Sequence, residues 1–240
     1  MTLQTADRAL QVLQQFHAPA DALSVTEIAD RLGIHRSTAS RLVSTLRARG
    51  FLEAVGDLVQ LGPEVARLGT LAGRELAVIA QPLMERLAAR TGETVTLGVV
   101  AAGETLTVAQ AGGRHVVSAG NWIGLRTPVH CTADGKVLLA FGAVMPPRGP
   151  LERRTEHTIV DPAALEHELR DARGRGYAIA EGELEPGLVG VAAPVRRDGA
   201  CVAALCISGP QYRLDRATAH ELAADCIEHA DALGVSSAAR

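Results

Sequence analysis

The stretch SVTEIADRLGIHRSTASRLVSTLRARG, residues 24–50, predicts two short helices joined by a tight turn. Ser24 and Glu27 have the spacing of a capping box, in which each side chain accepts a hydrogen bond from an amide at the start of a helix. Gly33 ends that helix, because glycine readily adopts the left-handed conformation that a helix end favours. The next helix is predicted over residues 36–49, and its apolar positions share one face: Ala39, Leu42, Val43 and Leu46.

The segments on either side of this stretch complete the pattern of a winged helix-turn-helix. Before it, apolar residues recur at helical spacing and predict a first helix: Ala9, Val12, Leu13 and Phe16. After it, residues 51–54 and 58–61 have the composition of strands, and Gly56-Asp57 that of the turn between them. This order of elements predicts a DNA-binding domain over residues 1–62.

The last helix of this domain carries the candidate DNA contacts. Its arginines are Arg36, Arg41, Arg47 and Arg49, and it contains no acidic residue. Its polar face combines small hydroxyl side chains with a long guanidinium, which suits close approach to a major groove and bidentate recognition of guanine. A solvated surface helix is the alternative for such a face, but the neighbouring turn and hairpin favour DNA. The predicted DNA-binding residues are Arg36, Ser37, Thr38, Ser40, Arg41 and Ser44.

The charges of residues 1–62 sum to zero, but they are unevenly distributed along the segment. This segment has as many arginines as acids, and the whole chain has a formal net charge of -3. The arginines concentrate on the last helix, whereas the acids lie mainly on the first two helices and in the hairpin. We therefore expect modest non-specific affinity for DNA, so that tight binding requires a dimer.

The pattern changes after Gly62. Residues 63–81 predict a linker helix whose apolar stripe suits packing in a homodimer: Val65, Leu68, Leu76 and Ile79. Pro82 is expected to open or kink the next helix. Residues 82–240 predict an α+β domain with a central antiparallel sheet. Strands are predicted at 95–100, 105–109, 177–179, 190–195 and 201–208, and helices at 133–141, 162–173 and 217–233.

Nothing in the sequence pattern points to an enzyme, a metal site or a membrane protein. The four cysteines lack metal-ligand spacing and fit free thiols in the cytoplasm. No leader peptide and no membrane-spanning apolar run is recognisable. His130 and Cys131 are adjacent, so on a strand they point to opposite faces and do not form a nucleophile–base pair. We predict no catalytic residues, no metal, no cofactor and a cytoplasmic location.

Ordered motifs over nearly the whole chain resemble the IclR family of bacterial transcriptional regulators. In the first part they are ADRAL at 6–10, residues 24–32, RSTASRL at 36–42 and LGP at 61–63. In the second part they are RTPVHCTADGKVLLA at 126–140, GYA at 176–178, EPG at 185–187, VAAPV at 191–195 and ISGP at 207–210. The resemblance implies a regulator, expected to be a repressor. Its expected partner is a near-palindromic operator in double-stranded DNA, bound by a homodimer or homotetramer.

The resemblance also implies a GAF-like C-terminal domain that binds a small organic acid or related metabolite. The effector-binding residues that it implies are Thr127, Val129, Ala133, Asp134, Leu188, Gly190, Cys206 and Ser208. Thr132 is expected to cap the following helix and leave the amides of residues 133–135 for a carboxylate. His130 is expected to anchor a loop, and Lys136 to pair with a carbonyl or an acid. The alternative is a C-terminal domain that serves only oligomerisation or protein contacts.

Two positions depart from the family pattern. The wing carries Asp57 and no basic residue, although family members often have one there, so the wing offers no cationic side chain for a phosphate contact. Asp134 stands where the family commonly has an uncharged residue. We expect its side chain to face outward, which leaves the pocket to a simple carboxylate. An inward carboxylate would repel such a ligand and favour one with an amine or several hydroxyls.

Overall fold

The computed structural model describes residues 3–16, 21–71, 75–115, 120–147 and 149–235. The chain divides into two compact units, Met1–Glu75 and Leu76–Arg240. None of the helices in the described ranges has the length and apolarity needed to cross a membrane.

The first unit has the predicted order of helices followed by a hairpin. Its described elements are α1 (Gln4–Leu13), α2 (Val25–Leu32), α3 (Arg36–Ala48), β1 (Leu52–Val55), β2 (Leu58–Leu61) and α4 (Pro63–Leu71). The two strands pair antiparallel around the predicted turn. The winged helix-turn-helix prediction is confirmed.

Local signals in the first unit act as the sequence predicts. Ser24 Oγ accepts from the Glu27 amide at 3.1 Å, and Glu27 Oε2 accepts from the Ser24 amide at 2.8 Å, which completes the capping box. Gly33 ends α2 with a φ of 60°. The apolar faces of α1, α2 and α3 pack together in one core. Leu23 and Val59 exchange backbone hydrogen bonds of 2.9 and 2.8 Å, which tie the segment before α2 to the hairpin.

The second unit is a sheet with helices on both faces. Its elements are α5 (Glu75–Thr91), β3 (Thr94–Ala101), β4 (Glu104–Ala111), β5 (Arg126–Thr127), α6 (Ala133–Ala140), α7 (Pro162–Arg175), β6 (Ala178–Glu181), β7 (Leu188–Arg197), β8 (Ala200–Pro210) and α8 (Arg216–Val235). The strands form one sheet in the order β5-β4-β3-β8-β7-β6, and every neighbouring pair is antiparallel. The predicted central antiparallel sheet is confirmed, whereas the short strand β5 was not foreseen.

Different helices cover the two faces of this sheet. On one face, large apolar residues of the strands pack against α5 and α8. On the other face, the small residues Ala178, Ala192 and Ala204 pack under α6 and α7. Small side chains let α6 approach the sheet closely, and every residue of α6 is buried.

One predicted helix boundary is wrong. The sequence predicts a linker helix over residues 63–81 and a next helix that Pro82 opens or kinks. Among the described residues, α5 instead continues through Pro82, so this proline does not open a helix. Burial of an α5 face on both sides of the proline stabilises one continuous helix despite the lost backbone hydrogen bond. Residues 72–74 of the predicted linker helix lie outside the described residues.

The predicted apolar stripe of the linker is divided in the structure. Leu76 and Ile79 pack against the core of the second unit, so their side chains already have partners within this chain. Leu68 on α4 and Val78 on α5 are 40% and 70% exposed. These two residues, rather than the whole stripe, present apolar surface outward.

Candidate functional site

The exposed face of α3 carries the polar residues that the sequence singles out. Arg36, Ser37, Ser40, Arg41 and Ser44 are exposed, and Thr38 is half-buried. The opposite face of α3 is buried in the core of the first unit. The buried apolar face therefore fixes α3 in the core, and the hydroxyl and guanidinium groups of its other face are exposed to solvent.

His35, which the sequence analysis did not assign, caps α3. Its Nδ1 accepts from the Ser37 amide at 3.2 Å and lies 2.7 Å from Ser37 Oγ. The first turn of α3 contains no acid. The positive end of the helix dipole is thus left without a protein carboxylate, which favours a phosphate nearby. The Ser37 hydroxyl is engaged by the cap in this structure.

The positive charge of α3 is not neutralised by nearby acids. Among the described residues, no carboxylate forms an ion pair with the arginines of α3. In the wing, Glu53 accepts a hydrogen bond from Gln60 at 2.5 Å, and Asp57 is exposed at the turn. The charge available for a nucleic acid is therefore concentrated on α3.

The second unit contains a pocket between one face of the sheet and the start of α6, with a volume of about 510 Å³ that includes space open to solvent. It is lined by strands, by α6 and by the loops that precede β5 and β7. Its lining residues are Thr96, Thr107, Trp122, Thr127, Cys131, Thr132, Ala133, Asp134, Ala180, Glu183, Leu184, Leu188, Gly190, Cys206 and Ser208. A concave site with a few polar groups among apolar ones is typical of small-molecule binding.

Two glycines of the sheet allow α6 to begin so close to it. A Cβ on Gly98 would lie 2.9 Å from Asp134 Oδ2, and a Cβ on Gly190 would lie 3.4 Å from Ala133 Cβ. At the cap itself, Thr132 Oγ1 accepts from the Gly135 amide at 3.2 Å, as predicted. One wall of the pocket is therefore the N-terminal turn of the buried helix α6, which lies against the sheet at positions occupied by glycine.

A β-bulge turns one strand toward the pocket. Leu97 pairs with Ala109 and Gly98 pairs with Thr107, so Val108 has no partner across the ladder. Side chains alternate along a strand, and an extra residue moves the following ones to the other face. The bulge places Thr107 in the pocket lining, although Ala109 belongs to the core on the opposite face.

Asp134 is buried in the pocket wall and is 8% exposed. Its Oδ1 accepts from the Gly135 amide at 2.9 Å. Burial raises the pKa of this carboxyl above its usual value, while hydrogen bonds from Thr132 and the Gly135 amide oppose the rise. Burial, and then the charge of Asp134, raise the pKa of the Cys206 thiol well above its usual value. The start of α6 thus already holds a carboxyl group of the protein.

Lys136 and Glu183 form a buried ion pair beside the pocket. Lys136 is the only lysine of the chain and is 1% exposed. Its Nζ donates to Glu183 Oε1 at 2.5 Å and to the Ile179 carbonyl at 3.3 Å. Burial raises the pKa of Glu183, and the Lys136 ammonium opposes that rise.

The adjacent residues His130 and Cys131 have separate structural roles. His130 Nε2 lies 2.9 Å from the Glu152 carbonyl and anchors that loop, as predicted. Burial raises the pKa of the Cys131 thiol to about 12, so it stays protonated at neutral pH. A thiol with so high a pKa is not an activated nucleophile.

Both units match one family of bacterial regulators. Residues 5–56 match the IclR helix-turn-helix domain, and residues 68–235 match the family described as bacterial transcriptional regulator IclR C-terminal. The chain belongs to the IclR family. It is a DNA-binding transcriptional regulator.

Relatives of this IclR-family chain are similar along its whole length. The HTH-type transcriptional regulator BhcR of Paracoccus denitrificans is 34% identical over 99% of this chain and 88% of that protein. The transcriptional repressor IclR of Escherichia coli K12 is 30% identical over 90% of this chain and 84% of that protein. A crystal structure of an IclR homologue from Microbacterium hydrocarbonoxydans, complexed with 4-hydroxybenzoate, has a TM-score of 0.81 and 29% identity. It covers 98% of this chain and 100% of that chain.

In this IclR-family protein the structure brings most of the predicted effector residues together. The pocket lining includes Thr127, Ala133, Asp134, Leu188, Gly190, Cys206 and Ser208. It does not include Val129, which is 1% exposed and packs in the core under α6 and α7. The effector contact at Val129 therefore stays a prediction.

The expected outward orientation of Asp134 is wrong. First-turn acids usually face solvent, but every residue of α6 is buried, so this helix offers its acid no solvent-facing side. The amides of residues 133–135 are not all free, since the Gly135 amide donates to both Thr132 and Asp134. The expectation that Lys136 pairs with a carbonyl or an acid is confirmed, since its ammonium donates to both the Ile179 carbonyl and Glu183.

Several lining residues of this pocket were missed by sequence reasoning. Thr96 and Thr107 come from strands whose face could not be assigned without the bulge. Trp122 lies in the loop before β5, and Glu183 in the turn after β6. Trp122 is the only tryptophan of the chain, and Lys136, the partner of Glu183, is the only lysine. Their rarity was the one feature of the sequence that could have drawn attention to these positions.

Proposed function

We propose that this IclR-family regulator is a repressor whose affinity for its operator is set by a small metabolite bound in the pocket. Residues 1–62 bind DNA, residues 63–81 connect the two domains, and residues 82–240 bind the effector. The DNA contacts are Arg36, Ser37, Thr38, Ser40, Arg41 and Ser44. The effector contacts are Thr127, Ala133, Asp134, Leu188, Gly190, Cys206 and Ser208, together with Glu183 and Trp122. The protein acts in the cytoplasm on a near-palindromic operator.

The observation that carries the sensing role is a pair of unsatisfied polar atoms in the pocket lining. Glu183 Oε2 and Trp122 Nε1 are both buried, and neither has a hydrogen-bond partner among the described residues. Buried polar atoms in proteins are nearly always paired, by protein groups, water or a ligand. A domain that served only oligomerisation would have no need of such a pocket, so this observation favours effector binding over the alternative.

The proposed function is tested by linking ligand binding to operator binding. Metabolites are screened for those that raise the melting temperature of the protein, and each is then added to a fluorescence-anisotropy titration of operator DNA. A repressor of this kind requires that a stabilising metabolite weaken operator binding. Metabolites that stabilise the protein yet leave operator affinity unchanged would favour a C-terminal domain without a regulatory link.

Arg41→Ala is expected to weaken operator binding by about 1–3 kcal/mol and to relax the preference at one base pair of each half-site. Arg41 is exposed at the centre of the polar face of α3 and has no ion-pair partner among the described residues. Affinity is measured for the operator and for a scrambled duplex of equal length. Arg170→Ala is the matched control, because it removes an exposed arginine from α7. Equal losses on both duplexes would show that Arg41 contacts only phosphate.

The protein is expected to be a homodimer or homotetramer at micromolar concentration. Leu68 and Val78 expose apolar surface on α4 and α5, and a two-fold assembly matches a near-palindromic operator. Sedimentation velocity gives the mass in solution. A monomer that still binds a single operator tightly would contradict this expectation.

A further inference from the structure

The charged side chains that line the pocket are both acidic. Within the described residues, they are Asp134 and Glu183, and the lining contains no arginine and no lysine. The nearest ammonium, that of Lys136, is engaged with Glu183 Oε1 and the Ile179 carbonyl. A ligand confined to this lining therefore meets carboxyl oxygens, and the lining itself offers no arginine or lysine to balance a negative charge of the ligand.

The start of α6 reinforces this property. The amides at a helix N-terminus commonly hold an anion. Here Asp134 Oδ1 already accepts from the Gly135 amide at 2.9 Å, so a carboxyl oxygen of the protein already takes up that amide. A second carboxylate in contact with Asp134 would experience strong repulsion, because charges interact strongly where water is excluded.

The unsatisfied atoms define what a ligand must offer. Glu183 Oε2 lacks a donor, and the Glu183 side chain is 9% exposed. Trp122 Nε1 lacks an acceptor. The remaining polar lining is made of hydroxyls, which both donate and accept: Thr96, Thr107, Thr127, Thr132 and Ser208.

We propose that the effector is an uncharged polyhydroxylated compound, a polyol or a sugar, and not a simple carboxylate. This inference rests on the proposed function. Hydroxyl groups can donate to Asp134 and Glu183 and can also accept from Trp122. An ammonium only donates, and Glu183 already has an ammonium partner in Lys136. The inference replaces the organic acid implied by the family resemblance.

Matched probes test the charge of the ligand. Glycerol, xylitol and sorbitol are compared with glycerate, xylonate and gluconate, in which one terminal CH₂OH is a carboxylate. Glucose is compared with glucosamine, and pyruvate and 4-hydroxybenzoate represent simple acids. The Kd of each probe is measured by isothermal titration calorimetry on the full chain. For the best-fitting skeleton, we expect the wild-type protein to bind the polyol at least about tenfold more tightly than the matched acid.

Asp134→Asn removes the charge and keeps the size of the side chain. In this variant the matched acid is expected to bind about tenfold more tightly than it binds the wild-type protein, while the polyol binds more weakly. The preference for the polyol over the matched acid therefore becomes smaller or reverses. Asp231→Asn, which neutralises an exposed acid on α8, is the control and is expected to change neither Kd. A preference unchanged by Asp134→Asn would overturn the assignment of Asp134 as the residue that excludes acids.

The single lysine provides a second readout. In protein labelled with ¹⁵N-lysine, the ammonium of Lys136 gives one side-chain NMR signal, and its partner Glu183 lines the pocket. Binding of a polyol is expected to shift that signal. An acid or an amine that binds the wild-type protein more tightly than its hydroxylated counterpart overturns the inference but leaves the proposed function intact. If no probe binds the wild-type protein or the Asp134→Asn variant, both the inference and the sensing role fail.

Discussion

Lys136→Met is expected to lower the free energy of unfolding of the second unit by about 3–5 kcal/mol, because it leaves a buried charge without its partner. Methionine keeps the length of the side chain, so the packing of α6 is largely preserved. Glu183 then keeps its burial and loses its cation, and the Ile179 carbonyl loses a donor. Trp122 is the only tryptophan and lies in the second unit, so its fluorescence during denaturation with urea reports the unfolding of that unit.

The double variant Lys136→Met/Glu183→Gln separates charge from packing. With the charge of Glu183 removed as well, the loss is expected to fall to about 1–2 kcal/mol. In the single variant the loss should also shrink as the pH falls. Without Lys136, burial alone raises the pKa of Glu183, so the folded state takes up a proton that the unfolded state does not, and acid stabilises it. A double variant as unstable as the single one would show that packing, not charge, explains the effect.

The DNA-binding unit could be predicted from the sequence because its signals are local. The capping box at Ser24 and Glu27, the left-handed Gly33 and the apolar face of α3 each act within a few residues along the chain. The cap formed by His35 could not be predicted in the same way. Histidine is not among the usual capping residues, so its position before α3 carried no recognised signal.

The strands of the second unit were also predictable, since their apolar composition is continuous. The inner surface of the pocket was not, because it depends on pairing between distant segments. The bulge at Val108 becomes visible only when β4 is registered against β3. Glu183 meets Lys136 across 47 positions of sequence. Family resemblance named seven of the fifteen lining residues, but it could not orient Asp134, whose position depends on the absent side chain of Gly98.

Gly135→Ala is expected to destabilise the second unit by about 3 kcal/mol through overpacking. A Cβ at this position would lie 2.4 Å from both the Cα and the carbonyl oxygen of Val129, and 2.7 Å from Thr132 Oγ1. The first two of these atoms belong to the backbone, so no side-chain rotation relieves the clash. The first turn of α6 must move away from Val129, which disturbs the Thr132 cap and the carboxylate of Asp134. Urea denaturation followed by Trp122 fluorescence measures the loss of stability.

Gly174→Ala is the matched control for this substitution. Gly174 lies in the last turn of α7, and a Cβ there would meet nothing within 4 Å. Alanine favours a helix over glycine, so this variant is expected to be more stable than the wild type by up to about 1 kcal/mol. The two substitutions add the same methyl group to a helix and should shift stability in opposite directions. If Gly135→Ala were as stable as the wild type, α6 would be free to move relative to Val129. The pocket wall would then not be fixed by the close approach that places Asp134 beside Gly98.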